Sequence, residues 1–378
     1  MEISSSKRSC NQFTMDIAKN ILEREAKNGS DSNWVFSPLS LQSNLALLAV
    51  GASGFTLNQT LWFLGLKNVE ELHSLSSEIM SVASSTEQNQ TIEEGPLLHF
   101  ANGVWIDKRY SVSPSFAEIA KGIYKAEVNS ADFLTKAEEA ATEINTWVEN
   151  ATKGLIKSIV QRGNLTKSTL LVKANALYFK AAWETIFNTF LTRDKKIFLP
   201  NGETLQGESK QFSMYFFLPD KNNGLSDLVD KICSNPFYLT ESFNLKVTEL
   251  DKFWMPKFQI SYGFEASNIL KKLGLDLPFS MMAELKNITK NVDFPHEVIP
   301  LKVSHIVHKA YIEVSEGGTE AAAATEEDDS MEFSMYSPPR PPPPSFVADH
   351  PFLFMIREDS SRTLLFIGVV QNPLLVID

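Results

Sequence analysis

The chain has 378 residues, of which 43% are hydrophobic, enough for one large core or for two ordinary domains. Its formal net charge is -11 and its pI is about 5.2. An acidic surface repels phosphate backbones and anionic lipids, so this composition argues against nucleic acid and membrane surfaces as partners.

The N-terminal region carries no targeting signal that the sequence makes visible. Residues 1–30 contain no apolar segment of the secretory type, and no stretch reaches the roughly 18 apolar residues of a membrane span. The two cysteines are Cys10 and Cys233, and because one disulfide would add little to a chain of this size, we expect free thiols. These features predict a cytoplasmic or nuclear protein, with an extracellular location as the alternative.

Helical patterns come first along the chain. Apolar residues at helical spacing predict a first helix with one buried face: Phe13, Ile17 and Ile21. Ser37 is a good N-cap, and Pro38 fits the first helical position because its missing N–H costs nothing there. Gly51 and Gly54 are expected to end this second helix.

Three further helices are predicted at residues 56–64, 69–83 and 136–160. The last of them has a continuous apolar stripe, which indicates a helix that packs one face against the core. Its members are Ile144, Trp147, Val148, Ala151, Leu155 and Ile159.

Strand patterns dominate the rest of the sequence. The stretch STLLVKANALYF, residues 168–179, is almost entirely apolar and is predicted to be a strand buried on both faces. Apolar or alternating runs predict further strands at 98–106, 212–219, 257–264, 301–314, 351–356 and 363–370. Helices early and strands late favour an α+β fold with large sheets.

A long segment with little reason to pack separates the strand that ends near Val314 from the one that starts near Phe346. It reads EGGTEAAAATEEDDSMEFSMYSPPRPPPP, and such a long structureless loop in a compact domain is usually functional. The run from Pro338 to Pro344 is predicted to be extended polyproline II, which cannot join a sheet interior. It resembles ligands of proline-recognising domains, and the alternative is a stiff return limb of the loop.

Motifs for catalysis or cofactor binding are absent from the sequence, including G-x-G-x-x-G, P-loop, G-x-S-x-G and H-E-x-x-H patterns. His305 and His308 lie three apart, a spacing that points them to opposite faces of a strand. Asp349 and His350 are neighbours, which is typical of a turn at a strand end. The cysteines do not form a cluster with histidines, so zinc is not predicted. We therefore expect neither an enzyme nor a metal or cofactor site.

Five motifs, in order, carry a family resemblance over nearly the whole chain: NWVFSPLSL, LVKANALYFKAAW, QFSMYFFLPD, SHIVHKAYIEV, and VSEGGTEAAAAT followed by FVADHPFLFMI. They resemble the serpin family, and FVADHPFLF is most similar to plant, Z-type serpins. The resemblance implies one serpin domain over residues 1–378, with helices around a large central sheet, smaller sheets, and an exposed reactive-centre loop at 316–345. We expect a monomer that binds no cofactor.

In this family the loop is bait for a protease. An attacking protease forms an acyl-enzyme, and the freed segment inserts into the central sheet as a new strand. The resemblance implies inhibition of a serine-type endopeptidase, or of a cysteine protease, by this suicide mechanism. It also implies a flexible hinge with small side chains, formed by Glu316, Gly317, Gly318, Thr319, Glu320, Ala321, Ala322, Ala323, Ala324 and Thr325.

Family spacing implies that the scissile bond is Glu332–Phe333 or one of its close neighbours. A glutamate before the bond implies a Glu-specific protease, whereas cleavage after Met331 or Phe333 would suit a chymotrypsin-like enzyme. Arg340 lies between two prolines and is a poor site for trypsin-like proteases, which are therefore not expected targets.

The loop departs from the family pattern beyond its hinge. By family register, alternate residues from Thr319 onward face inward on insertion, so Glu327 and Asp329 also face inward. A buried, unpaired carboxylate costs several kcal/mol, and insertion is expected to falter after Thr325. This departure favours the alternative function, a non-inhibitory serpin that binds partners through its acidic and proline-rich loop.

The stretch 183–212 is a second departure from the family. It is predicted to lack about thirty residues, including two strands of the second sheet, which would leave the strand at 212–219 with an exposed apolar edge.

Overall fold

The computed structural model describes residues 3–27, 32–84, 97–180, 212–221, 223–235, 250–290, 299–315 and 343–375. The helices are α1 (Ile3–Lys27), α2 (Pro38–Gly51), α3 (Gly54–Leu64), α4 (Val69–Ser84), α5 (Pro114–Gly122), α6 (Phe133–Ala151), α7 (Leu225–Ser234) and α8 (Ser267–Lys272). The strands are β1 (Trp34–Phe36), β2 (Leu97–Asp107), β3 (Ala126–Ala131), β4 (Leu171–Lys180), β5 (Phe212–Phe217), β6 (Lys252–Trp254), β7 (Phe258–Glu265), β8 (His305–Val314), β9 (Ser345–Val347), β10 (Phe352–Glu358) and β11 (Leu364–Val370).

Three sheets organise the described strands. The central sheet has the order β3-β2-β4-β8-β7, the second sheet has the order β1-β11-β10-β5, and β6 pairs with β9. In the central sheet β2 runs antiparallel to β4, β4 runs parallel to β8, and β8 runs antiparallel to β7. The second sheet is antiparallel throughout. Helices together with these sheets give the predicted α+β fold.

Helix α2 lies at the centre of the molecule. Ser37 caps it by accepting a hydrogen bond at Oγ from the backbone N–H of Ser40 at 3.2 Å, and Pro38 occupies the first turn, as predicted. Every residue of α2 except Val50 is buried, and the helix contacts both β4 and β11. The central and second sheets therefore share this helix as part of one core.

Strand β4 is buried on both faces, as its apolar sequence predicted. On one face Leu171 and Leu177 join the main core, which also contains residues of α2. On the other face Val172 and Ala174 pack with Ile144 and other residues of α6. β4 is thus the interior strand of a three-layer arrangement, with α2 and α6 on opposite sides of it.

Helix α6 ends earlier than its apolar stripe predicted. It stops at Ala151, and the predicted continuation to residue 160 is wrong. Lys153 and Gly154 take left-handed backbone conformations, with φ of 53° and 85°, which an α-helix cannot accommodate. Thr152 stabilises the turn by accepting a hydrogen bond at Oγ1 from the backbone N–H of Ile156 at 3.0 Å.

Candidate functional site

The central seam is defined as the parallel ladder between β4 and β8, from Val172 opposite His305 to Phe179 opposite Ile312. It lies in the middle of the five-stranded sheet, between the antiparallel neighbours β2 and β7. β8 ends at Val314, so the strand that leads into the predicted loop forms one side of the seam.

The predicted hinge (316–325) and the predicted bond Glu332–Phe333 lie outside the residues that the structure describes, as does the proline run up to residue 342. Pro343 and Pro344 are described and exposed. The structure therefore fixes the two ends of the predicted loop, at the last residue of β8 and the first residue of β9.

A chain of buried polar groups crosses the sheet at the seam. Asn102 of β2 donates to the carbonyl of Tyr124 at 3.0 Å and accepts at Oδ1 from Nδ2 of Asn175 at 2.5 Å. Asn175, on β4, accepts at Oδ1 from Nδ1 of His308 on β8 at 2.9 Å. His308 Nε2 accepts from the backbone N–H of Ser37 at 3.1 Å. Separation of β4 from β8 must break the bond between Asn175 and His308.

The hydrogen bonds of His308 determine which ring nitrogen carries the proton. Because Nε2 accepts from a backbone N–H, the ring proton is on Nδ1 and the imidazole is neutral. Desolvation by complete burial lowers the pKa of His308 to about 3. His305 points the other way, toward Glu265, with 2.9 Å between its Nδ1 and a carboxylate oxygen. The prediction that the two histidines lie on opposite faces is confirmed.

Acidification should destabilise the native state through His308. Its pKa in the folded protein lies below the unfolded value near 6.5, so the unfolded state takes up the proton first as the pH falls. The contribution of neutral His308 to the free energy of unfolding is therefore fully present above pH 6.5. It is lost as the pH drops toward 3, by up to about 1.4 kcal/mol per pH unit. Glutamine is uncharged at every pH, so we expect the free energy of unfolding of His308→Gln to fall less steeply between pH 6 and pH 4. Urea unfolding of both proteins at each pH measures this, and identical slopes would show that His308 does not titrate as stated.

The pair Asp349 and His350 lies in the short connection between β9 and β10, at a strand end as predicted. His350 Nδ1 lies 2.8 Å from a carboxylate oxygen of Asp349, and Nε2 lies 2.7 Å from the carbonyl oxygen of Pro219. These contacts tie the connection between β9 and β10 to the segment after β5. Within the described ranges, acidic, histidine and cysteine side chains form no cluster that could hold a metal ion. No described helix has the length and apolar character that crossing a membrane requires.

A family model described as "Serpin (serine protease inhibitor)" matches residues 8–209 and 205–373. The chain belongs to the serpin family. Serpins are in general protease inhibitors rather than enzymes. Serpin-ZX of Arabidopsis thaliana is 40% identical over 402 aligned positions, which take in 99% of this chain and 100% of that protein. The predicted similarity to plant Z-type serpins is therefore confirmed.

Solved structures show the same fold. The structure of Arabidopsis AtSerpin1, titled as the native stressed conformation, covers 99% of this serpin and 100% of that chain, with a TM-score of 0.84 and 38% identity. Human thyroxine-binding globulin complexed with its ligand is similar over 97% of this serpin and 99% of that chain, with a TM-score of 0.74 and 27% identity. The predicted serpin fold is confirmed.

Sequence reasoning missed one residue of the seam. Lys173 lies in the middle of β4 and is only 2% exposed, among residues that are otherwise apolar or amide side chains. The signal was present, because Lys173 is the one charged residue within STLLVKANALYF. A fully buried lysine on a strand that is buried on both faces is unusual enough to require a physical explanation.

Proposed function

We propose that this serpin inhibits serine proteases as a suicide substrate, in which a cut within 316–345 frees a segment that inserts between β4 and β8. The central seam is the observation that supports this proposal. β8 runs directly into the loop, and a segment that turns back at its end would run antiparallel to both strands of the seam.

Pairing energies favour insertion once the loop is cut. One parallel ladder would be exchanged for two antiparallel ladders, and antiparallel pairing is slightly more stable per residue. Each additional backbone hydrogen bond contributes about 0.5–1.5 kcal/mol net, and a strand as long as β8 would add several. The uncut loop is held at Val314 and at Ser345, so only cleavage releases an end that can travel through the seam.

Incubation with a Glu-specific and with a chymotrypsin-like serine protease tests the proposal. Because insertion is expected to falter after Thr325, we expect a complex that survives SDS together with cut protein that has escaped the complex. We also expect a released peptide that begins at Phe333 when the Glu-specific enzyme is used. We also expect the thermal midpoint of the cut protein to rise. Complete cleavage with neither a complex nor a rise would contradict inhibition by insertion.

The second candidate function is binding through an uncut loop. Glu327 and Asp329 favour it, because they are predicted to face inward if the segment inserts. The name of thyroxine-binding globulin, a structural neighbour, shows that a protein of this fold can be a binding protein. A proline-recognising domain that docks on Pro338 to Pro344 is the partner that the sequence favours. Under this alternative, cutting the loop leaves the thermal midpoint unchanged and abolishes the interaction.

We also propose that the stretch 183–212 is shorter than in related serpins. The alignment with Serpin-ZX has 402 positions, more than the 378 residues of this chain, so some aligned positions have no counterpart here. The family match also divides at 205–209, within this stretch. We expect the shortened chain to be a monomer with a single cooperative unfolding transition.

A further inference from the structure

Lys173 is a buried cation whose one hydrogen bond within the described structure joins strand β4 to helix α2. Its Nζ donates to the backbone carbonyl of Asn44 at 2.5 Å. Across the sheet it lies opposite Val104 of β2 and Ile306 of β8, both apolar. Burial lowers the pKa of Lys173 to about 7, so most of the side chain carries its proton at pH 6. A methionine would fill the position at lower cost, because it has no charge to desolvate.

Helix α2 is also bonded to the strand on the other side of the central seam. Ser37, directly before the helix, donates its backbone N–H to Nε2 of His308 on β8 at 3.1 Å. Lys173 is on β4 and His308 is on β8, so the two side chains reach the same helix from opposite sides of the seam. The helix is thus a polar bridge between two strands that are neighbours in the sheet.

The helix cannot follow both strands if they separate. Strand β1 ends at Phe36, next to the cap residue Ser37, and pairs with β11, and α2 itself packs against β11. These contacts fix α2 to the second sheet. On the β4 side of the seam, Asn102 of β2 adds a contact, from its Nδ2 to Oγ of Ser43 in α2 at 3.4 Å. Movement of β4 away from β8 must therefore break a bond between the central sheet and the helix.

We infer that Lys173 braces the central seam: by bonding β4 to α2, it opposes the separation of β4 from β8 in the uncut protein. A hydrogen bond from a charged donor is stronger than a neutral one, and an ammonium group that loses its acceptor inside the protein is costly. Lys173 is therefore a positioning residue, which acts through the helix. The inference deepens the proposed function, because the brace controls how readily the sheet admits a new strand, and only this consequence rests on that function.

Hydrogen exchange of the uncut protein at pH 6 tests the brace. Lys173→Met keeps a side chain of similar length and removes the donor. We expect the amides of the seam, residues 172–179 and 305–312, to exchange at least about tenfold faster in the variant. Exchange in the ladder between β10 and β11 should not change. The free energy of unfolding in urea should be equal or higher, because the variant buries no charge.

The contrast between seam and whole protein separates a brace from general packing. Seam amides that exchange at the same rate or more slowly in Lys173→Met would overturn the inference. Faster exchange in the seam and between β10 and β11 alike, with a lower free energy of unfolding, would also overturn it. Lys173 would then stabilise the fold in general and not the contact between β4 and β8.

A double-mutant cycle with His308→Leu tests whether the two bonds act through one helix. Leucine removes the bond from β8 to α2, so Lys173 would then hold β4 to a helix that is no longer bonded to β8. We expect Lys173→Met to speed seam exchange by less than about twofold in the His308→Leu background. An unchanged, tenfold effect in that background would contradict the brace, because the two bonds would then act independently.

Protease trapping distinguishes failure of the inference from failure of the proposed function. With a chymotrypsin-like serine protease, we expect Lys173→Met to give more SDS-stable complex per molecule cut than the unmodified chain does, because the seam opens more readily. If the seam of the variant exchanges faster and neither protein forms a complex, the brace stands and inhibition is refuted. If both proteins form a complex and seam exchange is equal, inhibition stands and the brace is refuted.

Discussion

Replacing Ala321 with arginine should convert this serpin from an inhibitor into a substrate. In the inserted state that we propose, with residues 315–318 as the turn after Val314, Ala321 would lie opposite Ile312 of β8. Ile312 is at present paired with Phe179 of β4, and Ile312 and Phe179 are both buried in the main core. An arginine there would bury an unpaired guanidinium at a cost of several kcal/mol, before the later inward positions are reached. We expect the yield of SDS-stable complex to fall at least about 100-fold while the rate of loop cleavage stays the same.

Glu320→Arg is the matched control for this prediction. Glu320 adjoins Ala321 but is predicted to face outward, opposite Glu313 and at the level of Lys180. The side chain of Glu313 is 32% exposed and that of Lys180 is 24% exposed. A charged residue can keep contact with water there, so complex formation should be largely retained. Equal loss in both variants would mean that the alternation of inward and outward residues is wrong. Retention in both would mean that the segment does not enter the seam.

Replacing Glu332 with arginine should redirect the protein to trypsin-like proteases. The residue before the scissile bond fills the specificity pocket of the protease. A pocket that would have to bury a charge without a partner cleaves that substrate much more slowly. We expect the rate of cleavage by a Glu-specific enzyme at this bond to fall at least about 100-fold, and cleavage by trypsin to begin between residues 332 and 333. Met335→Arg is the control, because it places the same charge beyond the predicted bond.

The outcome for Glu332→Arg also locates the bond. If Met335→Arg is cleaved faster by trypsin than Glu332→Arg is, and forms more complex with it, the reactive bond lies further along the loop than family spacing implies. If neither variant forms a complex with trypsin while both are cleaved, the loop is accessible but does not trap proteases. The non-inhibitory alternative would then be the better account.

Local patterns in the sequence predicted several elements because the relevant physics is local. Ser37 and Pro38 specify the start of α2 through a cap and a fixed φ angle, and both are confirmed. The apolar run 168–179 predicted a strand buried on both faces, because neither face carries a row of polar side chains that could contact water. The end of α6 was missed because its apolar stripe continues past Ala151, whereas the left-handed turn at Lys153 leaves no mark in the periodicity.

Long-range features of the site could not be read from periodicity. The order of strands in the central sheet, and the parallel pairing of β4 with β8, bring together segments more than a hundred residues apart. The same pairing sets Asn175 against His308 and leaves Lys173 without a carboxylate in the described structure. Short elements such as β1, β6 and β9, with three residues each, carry too few residues to show a period.

The central claim is that the segment which follows β8 becomes an interior strand of the central sheet once the loop is cut. A crystal structure of the cut protein tests this directly. The account predicts an additional strand between β4 and β8, with Asn175 and His308 no longer hydrogen-bonded to each other. A cut protein in which Val172 still pairs with His305, with β4 and β8 unchanged as neighbours, would contradict it.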